Sequence, residues 1–132
     1  MKIAVDTNVL VRAVLQDDPE QGQAAAKLLE EATLIAVSLP TLCELVWILR
    51  HGAKLSTDDV AQTIRDLLAT ANVSMDRPAV EAGLAVLEAG GDFADGVIAH
   101  EGAWLGGEIF VSFDRNAVEL LNLQGRQTLL VT

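Results

Sequence analysis

Five short apolar runs divide this chain of 132 residues, and segments of helical periodicity lie between them. The runs are Lys2 to Val5, Leu34 to Ser38, Asn72 to Met75, Glu108 to Ser112 and Gln127 to Val131. Asn72 to Met75 is the weakest of them, and the tail from Gln127 to Thr132 reads as an edge strand. Strands alternating with helices require crossovers long enough to carry the chain back, so consecutive strands run parallel. Two helices stand between most of the strands, which covers a sheet on both faces. The expectation is an α/β fold, a three-layer α/β/α arrangement around a central parallel sheet of about five strands, built as a single domain over residues 1–132.

Helix boundaries are legible from caps and breakers. Thr7 to about Leu15 reads as a helix stopped by Asp17-Asp18-Pro19. Ala24, Ala25, Leu28 and Leu29 recur at helical spacing between Glu20 and Glu31. Pro40 suits a first helical turn, and the apolar positions Leu42, Leu45, Val46 and Leu49 follow, ending near Gly52. Ser56-Thr57-Asp58-Asp59 is a helix-start cluster, with Val60, Ile64, Leu67 and Leu68 as the stripe to be buried. Further helices run from Pro78 to Gly90-Gly91, from Asp92 to about Leu105, and from Arg115 to about Leu123. The glycine pairs at 90–91 and 106–107 read as turn punctuation, since neither the spacing nor a following Lys suits a phosphate loop.

Hydrophobic residues make up 51% of the chain, which suits a folded domain with a real core. No apolar run reaches the roughly 18 to 20 residues of a membrane span, and the acid at Asp6 interrupts any signal-peptide core. The lone Cys43 has no internal disulfide partner, which fits a reducing, cytoplasmic setting. It reads as a small buried apolar residue. Net charge is −10. Taken by itself that argues against nucleic-acid binding, which normally rests on Lys and Arg. It fits either a solvated acidic surface or an acidic pocket that takes metal ions or a basic partner.

Four acids stand at matching places in the pattern. Asp6 directly follows the first apolar run, at the carboxyl edge where open α/β sheets place their ligands. It is also a good helix cap. Glu44 interrupts the apolar helix Leu42-Cys43-Glu44-Leu45-Val46-Trp47, where a carboxylate is costly to bury unless paired or metal-bound. The plainer readings are an exposed position or a pairing with Arg12 or Arg50. Asp92 and Asp95, three apart, share one face of a first helical turn. Helix-end charge complementarity accounts for part of this pair, and Asp92 is either a cap or an acid that supports the ligands. Asp114 ends the fourth apolar run, where a turn or cap role competes. Ser112 stands ready to donate a hydrogen bond to a ligating carboxylate. Four carboxylates on one edge repel unless a cation lies between them. Carboxylate oxygens without a His or Cys cluster suit Mg²⁺ or Mn²⁺ rather than zinc. Such ions orient an attacking water and stabilise the leaving oxygen of a phosphodiester. His51 and His100 read as structural residues, and Trp47 and Trp104 as packing groups, with Trp47 able to face a partner helix.

Asp6-Thr7-Asn8-Val9-Leu10, Glu44 in an apolar helix, Asp92-Phe93-Ala94-Asp95-Gly96-Val97-Ile98-Ala99 and Ser112-Phe113-Asp114-Arg115 together resemble the PIN-domain ribonucleases. More narrowly they resemble the VapC-type toxins of bacterial toxin–antitoxin pairs, over essentially the whole chain. The resemblance implies that Asp6, Glu44, Asp95 and Asp114 bind Mg²⁺ or Mn²⁺ and carry catalysis, with Asp92 an additional acid of some relatives. It maps Thr7, Asn8 and Ser112 to polar neighbours that position ligands or substrate. It also implies cleavage of RNA, in many members tRNA or ribosomal RNA, a homodimer, and silencing by a small antitoxin protein. An antitoxin Arg pairing bidentately with the acids would substitute for metal. Arg12, Lys54, Arg115 and Arg126 are the bases available to RNA phosphates. Two rivals stand beside this reading. One is a non-catalytic domain of the same fold that binds RNA or a partner. The other is a phosphoacceptor receiver domain, which would need paired acids after the first strand and a late Lys, whereas the last Lys here is Lys54.

Overall fold

A computed structural model describes all of residues 1–132. The chain divides into two compact units, Met1–Asp76 and Arg77–Thr132.

The first unit contains β1 (Lys2–Ala4), α1 (Thr7–Leu15), α2 (Pro19–Glu31), β2 (Leu34–Ala36), α3 (Leu39–Trp47), α4 (Thr57–Leu68) and β3 (Val73–Ser74). Its sheet has the order β1-β2-β3, with both pairings parallel. Lys2 stands opposite Leu34, and Ile35 opposite Val73. The caps are those that the sequence offers. Asp6, Asp18, Ser38 and Ser56 cap α1, α2, α3 and α4, each accepting a backbone N–H from the first turn. The Asp17-Asp18-Pro19 segment that stops α1 therefore also starts α2. Leu10, Ile35, Leu42, Leu45, Leu49, Val60 and Ile64 are buried and form the core of this unit. Leu67 and Leu68, also expected inside, are only half-buried, whereas Ala61 is buried. The last turn of the third helix departs from α geometry: Ile48–Gly52 is π-helical, closed by Ala53 N–H donating to the Ile48 carbonyl at 2.9 Å.

The second unit contains α5 (Arg77–Glu88), α6 (Phe93–Trp104), β4 (Ile109–Ser112), α7 (Arg115–Leu123) and β5 (Gln127–Leu130). β4 and β5 pair in parallel, Ile109 opposite Gln127 and Ser112 opposite Leu130, so Gln127–Leu130 of the tail is a strand. Gly83 and Gly96 let α5 and α6 approach closely. A methyl group on Gly96 would overlap the Ala82 carbonyl, and one on Gly83 would stand 2.7 Å from the Phe93 ring. Phe93 fills that space and is fully buried.

The expected parallel strands and helical crossovers are present, but pairing gives sheets of three and two strands rather than one of about five. Alternation along a sequence reports strand number and sense; which strands share a ladder rests on register, which alternation does not carry. β1 is also less buried than its apolar run suggests. Lys2 and Ala4 are exposed and only the following Val5 is buried, because β1 has a single strand neighbour, β2.

Candidate active site

In the first unit Asp6 and Glu44 are linked through Thr7. Asp6 Oδ1 accepts the Thr7 N–H at 2.7 Å and caps α1. The Thr7 hydroxyl donates to Glu44 Oε2 at 3.4 Å, a long and weak hydrogen bond. Thr7 is 4% exposed, while Asp6 and Glu44 are exposed. Glu44 therefore escapes the cost of burying a charge. The buried stripe of α3 is Leu42, Leu45 and Val46, and Glu44 lies off it. Asn8 is exposed on the first turn of α1 and lines a shallow groove with Arg12, Gln21 and Leu28.

In the second unit Asp92 and Asp114 cap α6 and α7. Asp92 Oδ1 accepts the Ala94 N–H at 3.1 Å and Asp114 Oδ1 the Ala117 N–H at 3.2 Å. Asp95 lies in the first turn of α6, half-buried. Burial lifts its carboxyl above the ordinary carboxylate range, and the charges of Asp92 and Asp114 lift it further. Ser112 acts differently from expectation. Its Oγ accepts the Asp114 backbone N–H at 3.0 Å, so it shapes the chain leading to the carboxylate and does not donate to it in this arrangement.

The competition between cap and ligand dissolves at this level. Asp6, Glu44, Asp92 and Asp114 each commit one carboxylate oxygen to the protein and leave the other unbonded. One carboxylate can cap a helix with one oxygen and face a ligand with its second.

These residues lie within residues 3–120, the span over which the sequence matches the PIN domain family. The chain belongs to the PIN domain family. No curated protein matches it. PIN domains are a nuclease fold, generally dependent on divalent metal ions. The donor chemistry fits that requirement, since the acids offer hard oxygen atoms. The crowding of charge at Asp95 is the kind of repulsion that a cation relieves. Within neither unit do three or more His, Cys, Asp or Glu side chains stand close enough to hold an ion.

The basic candidates separate by position. The Arg12 guanidinium is held by Asp17, with Nη1 donating to the carboxylate at 3.1 and 3.2 Å. Arg115 is exposed directly beside Asp114, and Lys54 is exposed in the loop after the π-helical turn. Arg126 precedes β5, at the opposite strand end from Asp114, about 13 Å along a four-residue strand. There it lines a cavity of about 800 Å³ with Gly106, Glu108 and Ile109, none of them a candidate ligand.

Both tryptophans read as packing groups in the sequence, Trp47 with the alternative of facing a partner helix, and neither is packed inside its own unit. Trp104 is 81% exposed and Trp47 60% exposed. Cys43, expected to be buried, is half-buried. The signal for Trp47 was available in the helical phase: positions 44, 47 and 51 share the face opposite the stripe at 42, 45, 46 and 49. Trp47 and His51 touch, with ring centroids 5.2 Å apart.

Proposed function

We propose that this PIN domain is a metal-dependent endoribonuclease, the toxin of a toxin–antitoxin pair, acting in the cytoplasm on structured RNA such as tRNA or ribosomal RNA. Asp6, Glu44, Asp95 and Asp114 are the carboxylates on which hydrolysis depends, as ligands of Mg²⁺ or Mn²⁺, with Asp92 in support. The observation that carries the reading is the free second oxygen on Asp6 and Glu44 in the first unit and on Asp114 in the second, where burial and then the charges of Asp92 and Asp114 raise the Asp95 carboxyl. When bound, a divalent cation lowers the pKa of water and stabilises charge on phosphate oxygens.

The chain's own residues do the positioning. Thr7 restrains one Glu44 oxygen and, through its N–H, one Asp6 oxygen, so one residue orients both carboxylates and leaves the second oxygen of each free. Ser112 and the first turn of α7 fix Asp114 in the same way. Arg115 and Lys54 are the bases best placed to meet RNA phosphates, since Arg12 already holds Asp17. A homodimer and a small antitoxin protein, whose Arg would pair with the acids, are the partners in this reading.

The test is cleavage of total RNA by the purified, antitoxin-free protein in Mg²⁺ or Mn²⁺ against EDTA, beside Asp6→Asn and Asp95→Asn. Discrete fragments that require metal and both acids support the nuclease. Cleavage that survives either substitution would overturn this ligand assignment. Folded protein that binds metal and cuts nothing would return the chain to the binding-only reading.

A further inference from the structure

Trp47 is the one large side chain of the first unit whose exposure its own packing does not explain. Apart from the terminal Met1, every other large hydrophobic residue of that unit is buried or half-buried. Sixty per cent of Trp47 faces solvent, which forfeits most of the free energy that burying an indole supplies. The ring is nevertheless held. His51, one turn on, contacts it at 5.2 Å with planes tilted by 47°. Between the two the helix widens into the π-helical turn Ile48–Gly52, a feature that recurs at functional sites. Glu44 lies three positions before Trp47 on the same helix face, about 5 to 6 Å away between Cβ atoms.

We propose that Trp47, braced by His51, is a stacking platform for one unpaired base of an RNA substrate, seated one helical turn from the Glu44 carboxylate. The inference rests on the nuclease reading above and adds to it a residue that holds the substrate. In a duplex both faces of a base are already stacked, so the platform selects loops, bulges and single strands. Stacking on an aromatic ring is tolerant of sequence and does not depend on a basic surface. That is how a chain of net charge −10 gains affinity for RNA with few cations to offer. A protein partner is the poorer fit here. Docking faces are contiguous apolar patches, such as Ile109, Val111 and Leu129 make on β4 and β5. Trp47 instead stands alone among exposed charged and polar groups, Glu44 and His51.

The decisive experiment measures binding of single-stranded oligoadenylate by fluorescence anisotropy in an Asp6→Asn background, so that the probe stays intact. Trp47→Ala is expected to weaken binding about 5- to 150-fold, and Trp47→Phe to recover most of it. An RNA duplex of the same length should bind both proteins alike. An oligomer with one abasic position should lose affinity for the parent protein and little further for Trp47→Ala. Equal affinity of the parent and Trp47→Ala for oligoadenylate would overturn the platform, even if the wild-type protein cuts total RNA. Loss of dimer or of partner binding with RNA affinity unchanged would make Trp47 a protein contact. RNA binding with the Trp47 dependence intact, but no metal-dependent cleavage by wild type, would keep the platform and overturn the nuclease.

Discussion

The hydroxyl of buried Thr7 reaches across from the start of α1 to Glu44 Oε2 on α3, 37 residues away in the chain. Because the Thr7 N–H also holds Asp6, one residue disciplines both candidate acids of the first unit. Replacing Thr7 with Val keeps the shape and the backbone cap but removes the hydroxyl. At 3.4 Å the bond is worth no more than about 1 kcal/mol, so kcat/KM should fall by roughly 2- to 5-fold. Thr7→Ser should restore it. Circular dichroism and Tm report whether the fold is kept; an unchanged kcat/KM would show that Glu44 needs no such restraint.

Asp95 gives a pH-dependent prediction with a definite sign. Its folded pKa lies above the ordinary 3.8, through burial first and then through Asp92 and Asp114. An acid whose folded pKa is raised is penalised in the folded state only when ionised. The penalty is absent below pH 3.8, develops as pH rises toward the folded value, and is complete above it. Asp95→Asn should therefore slightly stabilise the metal-free protein at pH above the folded pKa of Asp95, the effect being kept small because the half-exposed site is screened. The advantage should vanish in acid. A divalent cation should raise the Tm of wild type more than that of the variant. Thermal melts from acid to neutral pH, with and without Mg²⁺, test this; a variant less stable than wild type at neutral pH would contradict it.

Gly96 adjoins Asp95, and its Cβ position is taken by the Ala82 carbonyl of α5. Gly96→Ala must separate two backbones rather than rotate a side chain. The expected loss is about 2 to 3 kcal/mol, larger than the gain in helix propensity of about 1 kcal/mol that Ala brings elsewhere. Denaturant unfolding measures it. A stabilised Gly96→Ala would mean that α5 and α6 are not as tightly crossed as described.

Sequence alone determined the elements and their chemistry. Caps such as Asp6, Asp18 and Asp114, breakers such as Pro19, and the stripe at Leu42, Leu45 and Leu49 are local signals, because capping and helical phase act within one or two turns. The candidate acids were legible for a related reason: each sits at a helix start or interrupts an apolar run, so its placement follows from its own segment. Tertiary structure decided what depends on distant neighbours. Pairing registers divided five strands into ladders of three and two, and the packing of α3 left Glu44 and Trp47 in solvent. Thr7 met Glu44, and Asp92 and Asp114 raised Asp95, because folding brought segments together that no local pattern relates. Which oxygen of each acid remains free is likewise a property of contacts, and contacts form only once the chain has closed on itself.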